Sequence, residues 1–185
     1  MSPPNLILAV ALSGVLALSA CEPEPTGTLA DPTLDDVQWV QRGIGVRYQV
    51  TVGGVRTSTL DADTTYSFGS DGQDSIVMSG MRLDLFEDNG AAQAYITSRT
   101  GMMVPLSQLM YARGNAVLDI PAEQRRIESD TMYFDPRGEG LVRSDVFTIM
   151  IDAEKTVCGT GFVSDLGFRN IEISGMMSGD QFCRR

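Results

Sequence analysis

From Trp39 onward apolar and polar residues alternate with period two, and no long stretch carries apolar residues at helical spacing. Val46-Arg47-Tyr48-Gln49-Val50-Thr51-Val52 shows the alternation clearly and predicts a strand with one buried face. Turn chemistry separates the runs. Gly53-Gly54 and Asn89-Gly90 are two-residue hairpin signals, because primed turns need positive φ at their central positions. Asp135-Pro136-Arg137-Gly138 fits a type I turn, with proline second and glycine fourth. The expected fold class is all-β.

A five-residue phrase recurs along these strands: Leu60-Asp61-Ala62-Asp63-Thr64, Ile96-Thr97-Ser98-Arg99-Thr100 and Ile127-Glu128-Ser129-Asp130-Thr131, spaced 36 and 31 residues apart. A period in that range marks a repeated supersecondary unit. Between the copies a small residue closes one extended run and opens the next, at Ser79-Gly80-Met81, Arg113-Gly114-Asn115, Arg143-Ser144-Asp145 and Ser174-Gly175-Met176. Each repeat is therefore about two strands. One such pair cannot bury its own apolar face, so the copies are expected to stack into a longer sheet or open barrel. The apolar phase also flips at the glycines. It runs Ile76, Met78 before Gly80 and Met81, Leu83, Leu85 after it; it runs Leu109, Tyr111 before Gly114 and Ala116, Leu118, Ile120 after it. Keeping one face buried across a flip requires a bulge or a sharp bend toward a second sheet.

The first twenty residues carry no charge, and Leu6 to Ala20 is nearly all apolar. Fifteen residues are short for a membrane span and fit a secretory signal, residues 1–20. Leu18-Ser19-Ala20-Cys21 resembles the bacterial lipobox, in which the cysteine is linked to diacylglycerol and becomes the new N-terminus. Cys21 is the expected lipid anchor, against the plainer reading of an ordinary cleavage site followed by a chance cysteine. The polar, proline-rich residues 21–38 read as a lipidated flexible tether, and 39–180 as a single domain. Cys158 and Cys183 would share an oxidising compartment, where they pair or else leave one buried and one loose thiol.

The net charge of -10 falls wholly after residue 20, and Lys155 is the sole lysine. So acidic a surface argues against nucleic acid, whose phosphates need clustered Lys and Arg. The chain has no histidine, which removes the usual general base, the usual zinc ligand and the Ser-His-Asp arrangement. Asp35-Asp36 and Glu87-Asp88 sit beside turn residues and read as solvated loops rather than catalytic pairs. Asp84 to Gly90 lacks the alternating acidic ligands and final glutamate of a calcium loop. No enzyme activity, catalytic residue, metal or cofactor is expected.

What remains is the inside of the sheet. Its expected lining is Val50, Val52, Leu60, Met78, Leu83, Leu85, Ile96, Met103, Leu118, Ile127, Phe147, Ile149, Phe162 and Ile173. Spacing alone favours an ordinary hydrophobic core. Two features point to an apolar ligand instead: ten methionines, which suit an adaptable lining, and the small residues Ala62, Ser98 and Ser129 inside the repeated phrase, which would leave room.

Three segments taken in order carry a family resemblance: Arg113-Gly114-Asn115-Ala116-Val117, Arg126 through Pro136, and Gly159-Thr160-Gly161-Phe162. Together they are similar to the periplasmic lipopolysaccharide-export family, the LptC and LptA-like (OstA-like) proteins, over roughly residues 42–175. The resemblance implies a twisted, open β-jelly roll. It also implies a function: lipopolysaccharide is received from an inner-membrane ABC transporter, its acyl chains lie in an apolar trough, and it passes to a periplasmic β-bridge protein joined by strand addition. The expected location is the periplasm, with the lipid anchor on a membrane. The alternative is a structural or scaffolding surface lipoprotein without a ligand.

Overall fold

The computed structural model describes residues 39–69, 74–136, 141–178 and 182–183. The signal segment, Cys21 and the tether lie outside the described residues, as do the last two positions of the turn expected at 135–138. One compact unit, Val37–Arg185, contains the whole sheet.

The strands are β1 (Gln41–Val52), β2 (Val55–Phe68), β3 (Ser75–Phe86), β4 (Ala92–Val104), β5 (Leu109–Ile120), β6 (Arg125–Asp135), β7 (Leu141–Ser144) and β8 (Thr148–Ile151). They continue with β9 (Thr156–Gly159), β10 (Gly161–Asp165), β11 (Ile171–Ser174) and β12 (Met177–Ser178). All pair antiparallel, and β1 to β6 follow one another as a meander. The first half of β6 pairs with β8 and its second half with β7. From there β8 continues to β9 and β12, while β7 continues to β10 and β11. The pairs β7/β8, β9/β10 and β11/β12 are thus single long strands interrupted at mid-length. The domain is an open antiparallel sheet folded over on itself, the longer sheet that the repeats predict, and it is consistent with the open β-jelly roll that the resemblance implies.

The interruption has a consistent address. Gly45 on β1, Asp63 on β2, Gly80 on β3 and Arg99 on β4 each fall in the gap between paired residues of their neighbours. Gly114 and Asn115 on β5 and Asp130 on β6 extend the same row. Gly45, Gly80, Gly114 and Gly175 all have positive φ, a region open to glycine at little cost. The strands between them carry side chains that lie over the glycines: a Cβ on Gly80 would collide with the Asp63 carboxylate, and one on Gly114 would meet Arg99 Nε at 3.3 Å.

At this row the buried face changes parity. β3 buries Ile76 and Met78 before it and Met81, Leu83 and Leu85 after it, as expected. β2, β4 and β6 flip at Asp63, Arg99 and Asp130 within the repeated phrase. β5 corrects the expectation. It buries Met110 and Ala112, then Ala116, Leu118 and Ile120, so its parity is unchanged, and Leu109 and Tyr111 face outward. The reason is local: Gly114 (φ 77°) and Asn115 (φ 53°) are successive left-handed residues, giving β5 one residue more than either neighbour at this level.

The row divides the sheet into two limbs. The upper limb holds β2 up to Ala62, β3 from Met81, and β8 and β9; the lower limb holds β2 from Thr64, β3 up to Ser79, and β7, β10 and β11. Leu60, Leu83, Ile96, Leu118 and Ile127 of the upper limb and Met78, Met103, Val142 and Phe162 of the lower belong to one contiguous core. Ile149, Cys158 and Cys183 form a separate small cluster with Phe147, and the two cysteines are disulfide-bonded with Cα atoms 5.4 Å apart.

The Gly53-Gly54 hairpin has the two-residue form expected, with Val52 opposite Val55 and both glycines at positive φ. The second hairpin is longer than its Asn89-Gly90 signal implies. Phe86 pairs with Ala92, so five residues turn the chain, and the Asn89 side chain accepts from the Ala91 amide at 2.7 Å.

Gly80→Ala combines a left-handed alanine, costing roughly 1–2 kcal/mol, with a clash against Asp63, whereas Gly90→Ala at φ 83° meets open space. Urea unfolding is expected to rank Gly80→Ala as the more destabilising by at least about 1 kcal/mol; equal midpoints would show that the row bears no strain.

Candidate functional site

Opposite the bend, the free ends of the two limbs do not close on each other. Between them lies a cavity of about 940 Å³. The upper limb contributes Val50, Val52, Leu85, Phe86 and Ile120, the ends of β1, β3 and β5. The lower limb contributes Met110, Phe134 and Leu166, from β5, β6 and the turn after β10. The volume lies near the upper end of the range of roughly 300–1,000 Å³ typical of small-ligand sites. Glu87, Asp88, Glu123 and Arg169 give the opening a polar margin. The Arg56 guanidinium stacks 4.0 Å above the Phe86 ring, covering apolar surface there with a cation.

The turn Asp165–Asn170 builds one side of the opening. The Phe168 amide donates to the Asp165 carbonyl at 3.1 Å, and Phe168 adopts φ 56° with its ring fully buried. A left-handed phenylalanine is strained, and burial of its ring in the core offsets that cost. Asp165 fixes the turn by accepting from the Arg169 amide at 3.0 Å and from Asn170 Nδ2 at 2.8 Å. Burial pushes its carboxyl up, but the donated hydrogen bonds outweigh this and hold it below the ordinary value of 3.8.

The expected lining divides into three groups. Val50, Val52 and Leu85 face the cavity, although Val52 is 61% exposed at the end of β1. Leu60, Met78, Leu83, Ile96, Met103, Leu118, Ile127 and Phe162 are packed in the closed core, with Ile173 half-buried against them. They fill the interior rather than line a continuous trough. Phe147 and Ile149 belong to the disulfide cluster, apart from both.

The small residues of the phrase are likewise used otherwise than expected. Ser129 and Ser144 hydrogen-bond at 2.8 Å inside the bend, and Ser129 also donates to the Phe147 carbonyl at 3.2 Å. Ser98 Oγ donates to the Thr100 carbonyl at 2.8 Å, and Ala62 is buried in the core. These residues satisfy or accommodate backbone where the strands break, so they make room for the bend.

Sequence reasoning missed Met110, Ile120, Phe134 and Leu166. Ile120, Phe134 and Leu166 lie within two residues of Pro121, Pro136 and Gly167, so a large apolar residue at a strand end beside a turn was the available signal. Met110 was obscured by the phase assigned to Leu109 and Tyr111.

The fold and cavity define an open, folded β-sheet with a recess at its free rim whose apolar walls are interleaved with polar residues, among them Thr57, Ser58, Gln93 and Gln108. Neither a protein-family model nor a curated protein sequence matches this chain.

A carboxylate held below its unfolded value stabilises the fold above that value, and the contribution disappears as pH falls through the folded one. Asp165→Asn is therefore expected to lower the thermal midpoint at pH 7 by about 3 °C, the shift that roughly 1 kcal/mol produces in a domain of this size. The gap from the parent protein should close below pH 3.8; a gap constant from pH 7 to pH 3 would separate the turn from the Asp165 charge.

Proposed function

We propose that this domain is a non-enzymatic lipid-transfer component that carries acyl chains across an aqueous compartment. The observation carrying the proposal is the recess left between the free ends of the limbs, whose apolar wall is made by Val50, Leu85, Met110, Ile120 and Phe134. A bare acyl chain costs about 0.8 kcal/mol per exposed methylene in water, and an apolar recess lowers that cost. Phosphates and sugars would stay outside, because the margin carries Glu87, Asp88 and Glu123 against Arg169.

The family resemblance supplies the particular cargo and route: lipopolysaccharide, taken from an inner-membrane ABC transporter in the periplasm and handed to a β-bridge. The open sheet supports the handover. Among the described residues β1 pairs only with β2 and β11 only with β10, which leaves backbone on both sides to which a partner sheet can add a strand. Such a cargo exceeds the recess, so we assign it one or two tails at a time, with the remainder shared with the next sheet. The lipid on Cys21 would hold the carrier beside its source.

A scaffold without cargo is the second reading, favoured by the solid core at Leu83, Leu118 and Ile127, none of which has exposed surface. Mass spectrometry of organic extracts of the purified protein distinguishes the two, since only a carrier brings lipid with it.

A photo-crosslinking residue at Ala122, on the cavity wall, is expected to capture lipopolysaccharide, and Val50→Arg with Val52→Arg should reduce capture at least about tenfold without loss of β-sheet circular dichroism. These valines sit on an edge strand and are not fully buried, which spares the core. Undiminished capture in the double variant would overturn the recess as the binding site.

A further inference from the structure

Strand β2 places a hydroxyl in an otherwise apolar row of the recess. Side chains alternate along a strand, so Ser58 shares the inward face with Leu60 and Ala62, both members of the core. Across the ladder its partners are Val50 on β1 and Leu85 on β3, and Leu85 in turn stands opposite Ala94 on β4. Val50, Ser58 and Leu85 all line the recess. The next row toward the bend, Leu60, Leu83 and Ile96, is closed by packing. Ser58 therefore stands at the boundary between that packed row and the recess.

Ser58 is only 4% exposed, yet among the described residues its hydroxyl has no hydrogen-bond partner. The other buried serines are all satisfied. Ser129 and Ser144 bond each other at 2.8 Å, and Ser164 donates to the Asp165 carbonyl at 3.0 Å. Thr57, beside Ser58 on the wall, donates to the Val50 carbonyl at 3.3 Å. Burying a hydroxyl without a partner costs free energy, and alanine in its place would avoid that cost. The Ser58 hydroxyl faces the volume a ligand would fill, so a ligand can supply what the protein does not.

The chemistry of that ligand follows from the row. A bare hydrocarbon tail offers the hydroxyl nothing and strips it of water, whereas the ester or amide carbonyl at the head of an acyl chain offers an acceptor. Beyond Ser58 the recess crosses the strands from β3 to β6, past Leu85, Ile120, Met110 and Phe134. On its other side lies only β1, an edge strand among the described residues.

We propose that Ser58 sets the specificity of the recess: its hydroxyl donates to the ester or amide carbonyl of an acylated lipid, which fixes the head of the acyl chain at β2 and lays the tail across β3 to β6. The headgroup then leaves past β1. This inference rests on the carrier reading above and narrows it, since the cargo becomes an acyl ester or amide and not an alkyl chain without a carbonyl.

The test compares two uncharged probes, the dodecanoyl ester and the dodecyl ether of one disaccharide, each kept below the concentration at which it forms micelles. Titration calorimetry with the purified full-length chain is expected to favour the ester about fivefold, the scale of one net hydrogen bond. Ser58→Ala should bind the ether as the parent does and lose the preference, while Ser58→Thr keeps it. An isotopically labelled ester carbonyl gives a direct readout: its infrared stretch is expected at lower frequency on the parent than on Ser58→Ala. Equal affinity of the parent for both probes, or a preference that survives Ser58→Ala, would overturn the assignment and leave the carrier reading standing. Binding of neither probe would overturn the carrier reading and the assignment with it. Without ligand, Ser58→Ala is expected to unfold thermally at the parent's midpoint or above, because no protein hydrogen bond is lost; a lower midpoint would show that the hydroxyl serves the fold, and would also overturn the proposal.

Discussion

A long antiparallel sheet with one greasy side has to hide that side, and this chain does so by folding every strand at one level. Because side chains alternate along a strand, a simple fold would keep the same parity while the geometry of a bend displaces it, so the bend needs a local irregularity in each strand. The irregularity is shared between neighbours: a left-handed glycine on β1, β3 and β5, and a charged residue at the same level on β2, β4 and β6, of which Asp63 lies against Gly80 and Arg99 against Gly114. The alternation is mutually dependent, since the space above Gly80 is what the Asp63 side chain occupies. The remaining features of the domain follow from this row, including the common core on its concave side and the open rim opposite.

Much of this was written in the sequence. The recurrence of Leu60–Thr64, Ile96–Thr100 and Ile127–Thr131 marks the strands on which the covering side chain sits, and the change of phase around Gly80 marks the bend itself. The double glycine at 53–54 gave its turn directly. Around Gly114 the sequence misleads, because Leu109 and Tyr111 are as apolar as Met110 and Ala112, and register against β4 and β6 decides which pair is buried. Only the partner strands contain that information. The cavity was less legible for a related reason. Its walls come from the ends of many strands and turns spread along the sequence, and most of the strand-centre residues that looked like a lining pack against one another instead.

The serines illustrate how one residue type carries different meanings by place. Ser129 and Ser144 look in sequence like small spacers in an apolar interior, yet each satisfies polar groups where β7 gives way to β8. An interrupted strand leaves backbone groups without ladder partners, and burying them unpaired costs more than the hydroxyls do. The inside of the bend is therefore polar in spots, while the recess at the rim is where apolar surface remains uncovered. In the proposed carrier role the ligand would sit at that rim, where little packing has to be displaced to admit it.

Through β6 each strand hydrogen-bonds with its immediate predecessor and successor in the chain. Assembly can accordingly proceed by accretion, one hairpin seating on the last, without waiting for distant segments to meet, which favours rapid maturation of a polypeptide emerging end-first. The same modular arithmetic bears on evolution: duplicating one hairpin, complete with its glycine and its overlying charge, would lengthen the domain by a register-compatible step and leave every existing neighbour in place.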